Sequence, residues 1–103
     1  MQTGKMNTVR YCSAFISHCA NYYFSNENLL NQAQLSDAQF NNYQCVKAAL
    51  EHFEADEIDM LRNVFISGLP LPEAMKVLNS KGEYGWFMVR KFIKLAATYR
   101  GLI

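Results

Sequence analysis

The sequence predicts an all-α fold, a compact bundle of four to five helices forming a single domain. Apolar residues recur three and four positions apart in several segments, which is the period of a helix with one buried face. Turn-forming residues are few, with five glycines and two prolines in 103 residues, whereas an all-β domain of this length needs many more. Half of the residues are hydrophobic, which is ample for one core.

The first predicted helix covers about residues 8–24. Its apolar face combines cysteines with aromatic and aliphatic side chains at helical spacing: Cys12, Phe15, Ile16, Cys19, Tyr22 and Tyr23. This aromatic face is interpreted as part of the core, and the alternative is a seam between two copies in a dimer.

Two segments flank this first helix. Residues 1–7 are expected to form a loose leader. Residues 25–34 are rich in Asn and Gln, and they fit either a short helix that carries Leu29 and Leu30 or a loop. The sequence leaves these two alternatives open.

The second predicted helix, over residues 37–53, has the clearest local signals in the chain. Ser36 is followed three residues later by Gln39, which is the pattern of a capping box. Leu35 and Phe40 occupy the positions of a hydrophobic staple. The apolar stripe then continues through Tyr43, Val46, Ala49, Leu50 and Phe53.

The third predicted helix begins near Asp56, a good capping residue, and stops at Gly68, which readily adopts the left-handed conformation. A short helix over residues 73–79 is predicted next, with Pro72 suited to its first position. The apolar residues of this short helix are expected to lie mostly inward: Ala74, Met75, Val77 and Leu78.

The last predicted helix covers about residues 83–100 and has two chemically different faces. On a helical wheel one wide arc is apolar and is assigned to the core: Tyr84, Met88, Val89, Phe92, Ile93, Leu95, Ala96 and Tyr99. The opposite arc joins three cations to an aromatic ring and a hydroxyl: Phe87, Arg90, Lys91, Lys94 and Thr98. This arc is either a solvated face or a surface that neutralises phosphates.

Charge is unevenly distributed, although the net charge is only +1. Residues 51–59 contain five acidic side chains and no Lys or Arg, and we call them the acidic segment. Residues 81–103 contain five basic side chains and one acidic side chain. The distribution of charge over the surface indicates possible binding partners better than the net charge does.

From residue 57 to residue 100 the chain resembles a sigma-factor region-four helix-turn-helix, and more closely the phage late-transcription regulators of the ArpU type. The resemblance lies in the Ile and Leu pattern of residues 57–61, the short helix at 71–78, the small polar residues at 79–80, and the long helix from Tyr84 into a Leu-Ala-Ala segment. It implies a regulator that binds double-stranded DNA through its last helix. The DNA contacts that the resemblance implies are Lys81, Tyr84, Arg90, Lys91 and Lys94. Phe87 is added as a candidate contact because it lies on the same arc of the last helix as Arg90, Lys91 and Lys94.

The chain lacks the residue patterns of the common catalytic and metal sites. Its two histidines, His18 and His52, are not part of a recognisable catalytic group, and three cysteines without a CxxC pair argue against a zinc site or a disulfide framework. We therefore expect a non-enzyme with no cofactor and no metal. Without a signal peptide or a long apolar run, we expect a cytoplasmic location and no membrane partner.

A second hypothesis is a small helical protein–protein interaction module, such as an inhibitor or adaptor of phage or mobile-element origin. The near-neutral net charge and the opposed acidic and basic surfaces favour it, because the acidic segment would either mimic phosphates or dock a basic partner. A homodimer is a further expected assembly, since a helix-turn-helix protein that reads two half-sites needs two copies.

Overall fold

The computed structural model describes residues 4–27, 35–79 and 84–102. Within these ranges the chain is all-α and contains no strand, which confirms the predicted fold class. The helices are α1 (Gly4–Ser25), α2 (Asp37–Leu50), α3 (Ala55–Ile66), α4 (Leu71–Asn79) and α5 (Tyr84–Arg100). In the described ranges no helix combines the length and the apolar character needed to cross a bilayer.

α1 begins at Gly4, earlier than the predicted start at residue 8, so residues 4–7 are helical and are not a loose leader. Lys5 and Met6 are good helix formers, which favours the extension. The helix ends where the Asn26 side chain donates a hydrogen bond to the Tyr22 carbonyl, 2.8 Å away. Most of the undecided segment at 25–34 lies outside the described residues.

The predicted capping box of α2 is confirmed. The Gln39 amide donates to Ser36 Oγ at 3.2 Å, and the Ser36 amide donates to Gln39 Oε1 at 3.0 Å. The helix ends at Leu50, before the predicted end at Phe53. The next amides, up to that of Phe53, donate to carbonyls three residues back, because the last turn tightens beyond the α-helical spacing.

α3 begins at Ala55, and its N-cap is Glu54, two residues before the predicted cap Asp56. The Glu54 amide donates to Glu57 Oε1 at 2.8 Å, and the Glu57 amide donates to Asp56 Oδ1 at 2.9 Å. Asp56 therefore still satisfies a first-turn amide, from inside the helix. The predicted stop is confirmed, since Gly68 follows the helix with φ at +79°.

α4 begins at Leu71, so Pro72 is its second residue and not its first. The carbonyl of Pro70 starts the helix by accepting the amides of Glu73 and Ala74 at 2.9 and 3.0 Å. The predicted burial was wrong for Val77, which is 61% exposed. On a helical wheel Val77 lies outside the arc that contains the inward-facing residues Ala74, Met75 and Leu78.

Buried residues from all five helices form one core. α2 and α5 run antiparallel, because Asn42 near the start of α2 bonds Arg100 at the end of α5, while Phe53 beyond α2 contacts Phe92 midway along α5. Phe92 is fully buried, and its ring centroid lies 5.3 Å from that of Phe65 on α3. One face of α5 is therefore held against the four other helices, which directs the opposite face outward.

Candidate nucleic-acid interface

The outer face of α5 brings together four of the six residues predicted to contact DNA. Phe87, Arg90, Lys91 and Lys94 are all exposed and line one open groove with Leu95 and Thr98. The buried residues of the helix alternate with them at helical spacing: Met88, Val89, Phe92, Ile93 and Ala96. We call the surface formed by Phe87, Arg90, Lys91 and Lys94 the basic face.

The other two predicted contacts are not placed on this face by the structure. Lys81 lies outside the described residues. Tyr84 is the first residue of α5, and its side chain is outside the described part.

The three cations of the basic face differ in their surroundings. Within the described part of the chain, the side chains of Arg90 and Lys94 form no ion pair and no hydrogen bond. Lys91 instead places its Nζ 5.1 Å from the centroid of the Phe53 ring, a cation–π contact that holds it toward the α2–α3 connection. Of the three cations, Arg90 and Lys94 are therefore the exposed ones without a partner among the described residues.

The end of the basic face toward the start of α5 is aromatic. Phe87 is 67% exposed and Trp86 is 46% exposed. Gly85 and Met88, on either side of this pair, are buried. The surface thus changes along the helix from aromatic carbon to positive charge.

Arg100, the last cation of α5, serves the packing of the helix rather than the basic face. Its Nε donates to Asn42 Oδ1 at 2.8 Å, and its guanidinium carbon lies 5.8 Å from the Phe15 ring centroid. The same end of α5 is tied to the α2–α3 connection by a 2.8 Å hydrogen bond between His52 Nε2 and the Tyr99 hydroxyl. These contacts fix the direction of α5 relative to α1 and α2.

Part of the acidic segment forms contacts within the protein. Arg62 of α3 pairs with Asp59, and its Nε donates to Glu27 Oε2 at 2.8 Å. These carboxylates, Glu27 foremost, raise the pKa of the Arg62 guanidinium above its usual value. The guanidinium also lies 5.4 Å from the Phe24 ring, so it joins α3 to the end of α1.

The aromatic face of α1 packs within the chain. Ile16 is fully buried, and the ring of Tyr23 stacks on Tyr43 of α2 at 5.3 Å. Phe15 and Tyr22 are partly buried. These contacts favour the interpretation of this face as core over that of a dimer seam.

The three cysteines are free and buried, as small hydrophobic residues are. Cys19 of α1 and Cys45 of α2 contact each other across the helix pair, and this contact together with burial raises the pKa of the Cys45 thiol. In the described ranges no three His, Cys, Asp or Glu side chains cluster as a metal site would require. His18 and His52 are both exposed.

A second surface, between α3 and α4, was missed by the sequence analysis. An apolar groove of about 250 Å³ lies there, lined by Met60, Asn63, Val64, Ser67, Leu69, Ala74, Val77 and Leu78. The exposure of Val77 could have been found from the helical wheel of α4. That of Leu69, which is 49% exposed, depends on the path of the loop and has no sequence signal.

The connection between the two C-terminal helices is short. α4 ends at Asn79 and α5 begins at Tyr84, so four residues separate them. Helix-turn-helix units use connections of about three to four residues. This spacing is compatible with the resemblance without being specific to it.

Comparison of the chain with protein-family models, with curated proteins and with solved structures finds no match.

Proposed function

We propose that this chain is a transcription regulator that binds double-stranded DNA through the basic face of α5. The observation that supports the proposal most directly is the pair of cations Arg90 and Lys94, which lie one turn apart on a helix whose opposite side is buried. Neither side chain has a partner among the described residues. Cations presented in this way neutralise phosphates and release counterions, which supplies most of the affinity for DNA of any sequence.

The dimensions of the basic face suit a DNA groove. From Phe87 to Thr98 the exposed stripe runs for about 16 Å along α5. The major groove of B-DNA is about 12 Å wide and admits one α-helix. In the proposed arrangement, residues 57–100 act as a helix-turn-helix unit, with α4 beside the DNA backbone and α5 in the groove.

The contacts within the chain predict different contributions of the three cations to DNA binding. Lys91 lies over the Phe53 ring, so a phosphate would compete with this cation–π contact for the ammonium group. In the part of the chain that the structure describes, Arg90 and Lys94 have no such contact to lose. We expect these two residues to contribute more to binding than Lys91.

The test is the affinity for a fluorescein-labelled duplex of mixed sequence, measured by anisotropy at low salt and then at rising salt. Each phosphate contact contributes about 0.9 to the slope of log K against log salt. Arg90→Ala and Lys94→Ala should each weaken binding and lower the slope by about one contact. Lys47→Ala is the matched control, because Lys47 is an exposed cation on α2, beside Tyr43 and away from the basic face.

Two results would count against the proposal. One is the absence of binding even at low salt, because the electrostatic contribution needs no cognate sequence. The other is an equal loss of affinity in Lys47→Ala and in the two α5 variants, which would show a response to net charge rather than to this surface.

A second candidate is the helical protein–protein interaction module, and the exposed aromatic pair Trp86 and Phe87 favours it. Aromatic residues and arginine dominate the binding energy of protein interfaces, and Arg90 follows this pair by one turn. In this alternative the basic face contacts an acidic protein surface instead of phosphates. The inhibitor or adaptor role belongs to this candidate.

The two candidates differ in what contacts residue 87 in the cell. A photo-crosslinking amino acid at position 87 should capture DNA if the first candidate is right and one defined protein if the second is right. The same group at position 40 is the control, because Phe40 is also an exposed aromatic but lies on α2. Identical products at both positions would argue against a specific role for the basic face.

A further inference from the structure

The exposed side chains near the beginning of α5 are aromatic. This is the part of a helix that contacts base edges when the helix lies in the major groove. Recognition helices contact bases mainly through residues near their N-terminus. Among residues 85–88, Gly85 and Met88 are buried, and Trp86 and Phe87 are exposed. This turn therefore presents none of the Arg, Asn or Gln side chains that usually read the polar edges of bases.

Of the two aromatic residues, Phe87 has the more central position. It lies one turn before Arg90 and Lys91 and within the same exposed stripe as Lys94. Trp86 is rotated by about 100° from Phe87 around the helix axis, toward the buried edge. Phe87 is also the more exposed of the pair, at 67% against 46%.

The major groove contains one apolar group that such a ring can contact, the C5-methyl of thymine. We infer that Phe87 is the specificity-determining residue of the basic face and packs against thymine methyl groups, while Arg90 and Lys94 hold the phosphates. This inference depends on the proposed function and adds to it a preference for duplexes that carry methyl groups in the major groove.

The expected effect follows from the apolar surface that each contact buries. Removal of one buried methyl-sized group from an apolar contact corresponds to about a fourfold loss of affinity. The phosphate contacts are separate from this effect, so the salt dependence of binding should stay the same when the methyl group or the Phe87 ring is removed.

The experiment compares an alternating A·T duplex with the same duplex in which uracil replaces thymine. The wild-type chain should bind the uracil duplex about fourfold more weakly for each methyl contacted. A second pair, alternating G·C with and without 5-methylcytosine, adds a methyl group at the corresponding major-groove position, and here methylation should strengthen binding. All four duplexes are titrated at the same salt concentration.

Two variants assign the effect to Phe87. Phe87→Ala should bind the thymine and uracil duplexes equally, with an unchanged salt slope. Phe40→Ala is the matched control, because Phe40 is 48% exposed on α2, and this variant should retain the wild-type difference. The missing methyl group also changes the DNA itself. That change is the same for the wild-type chain, Phe87→Ala and Phe40→Ala, so it cancels when their affinities are compared. Thermal melts should show that both variants remain folded.

The results separate this inference from the proposed function. Salt-dependent binding with equal affinity for the thymine and uracil duplexes would overturn the inference and leave the DNA-binding proposal in place. A preference for thymine that persists in Phe87→Ala would overturn it as well. No binding to any duplex at low salt would overturn the proposed function and the inference with it, and would direct attention to Phe87 as a protein contact.

Discussion

Replacement of Phe92 by alanine tests which side of α5 faces the core, and the basic face is defined by that orientation. Phe92 is fully buried, and its ring centroid lies 5.3 Å from that of Phe65 and 6.3 Å from that of Phe53. Truncation of a buried Phe to Ala costs about 3–5 kcal/mol, because apolar contacts are lost and a cavity remains. Since domains are stable by about 5–15 kcal/mol, the variant should be strongly destabilised but still measurable.

The assay is urea unfolding followed by far-UV circular dichroism, with the free energy of unfolding extrapolated to zero urea. Phe87→Ala is the matched control, because it removes the same ring from the exposed side of the same helix and should change stability by less than about 0.5 kcal/mol. If Phe92→Ala does not fold, Phe92→Leu gives a smaller loss in the same direction. A loss below about 1 kcal/mol for Phe92→Ala, or equal losses for the two alanine variants, would refute the assigned orientation of α5.

Three further predictions concern the rest of the fold. Gly68→Ala should destabilise the protein by about 1–2 kcal/mol in thermal melts. Since φ is +79° and no atom lies within 4 Å of the added Cβ, the cost is conformational. Gly68→Asn should lose less stability, and an unchanged melting temperature in Gly68→Ala would contradict the assigned φ. Asn21→Ala should cost about 1 kcal/mol through loss of the 2.8 Å bond to the Phe65 carbonyl, whereas Asn63→Ala, on an exposed position of α3, should cost little. The three buried thiols should react slowly with a disulfide reagent in the native protein and quickly in urea, and rapid reaction in the native state would contradict their burial.

The local signals of the sequence predicted the helix boundaries best where a side chain or a glycine defines the end. The capping box at Ser36 and the stop at Gly68 each depend on atoms within a few residues, so a sequence pattern is sufficient to find them. The start of α1 was predicted at residue 8, whereas residues 4–7 continue the helix. The end of α2 depends on Phe53, which turns inward to meet Phe92 on α5, a contact between residues far apart in the sequence.

The composition of the basic face could be predicted, but the surroundings of its charges could not. Helical spacing placed Arg90, Lys91 and Lys94 on one exposed arc, and the structure confirms that exposure. The contact between Lys91 and Phe53 requires the packing of the α2–α3 connection against α5. The contacts of Arg100 with Asn42 and Phe15 likewise require three helices to be in place. Long-range packing of this kind leaves no periodic signal in the sequence.

The central claim, that the basic face of α5 is the surface that binds DNA, is tested most directly by an NMR titration of the isotope-labelled chain with a short duplex. The largest changes in chemical shift should map to residues 86–98 of α5, at the exposed positions Phe87, Arg90 and Lys94. The groove between α3 and α4 and the exposed side of α2 should change little. Changes centred on the groove, or no changes at a low salt concentration that favours phosphate contacts, would contradict the claim.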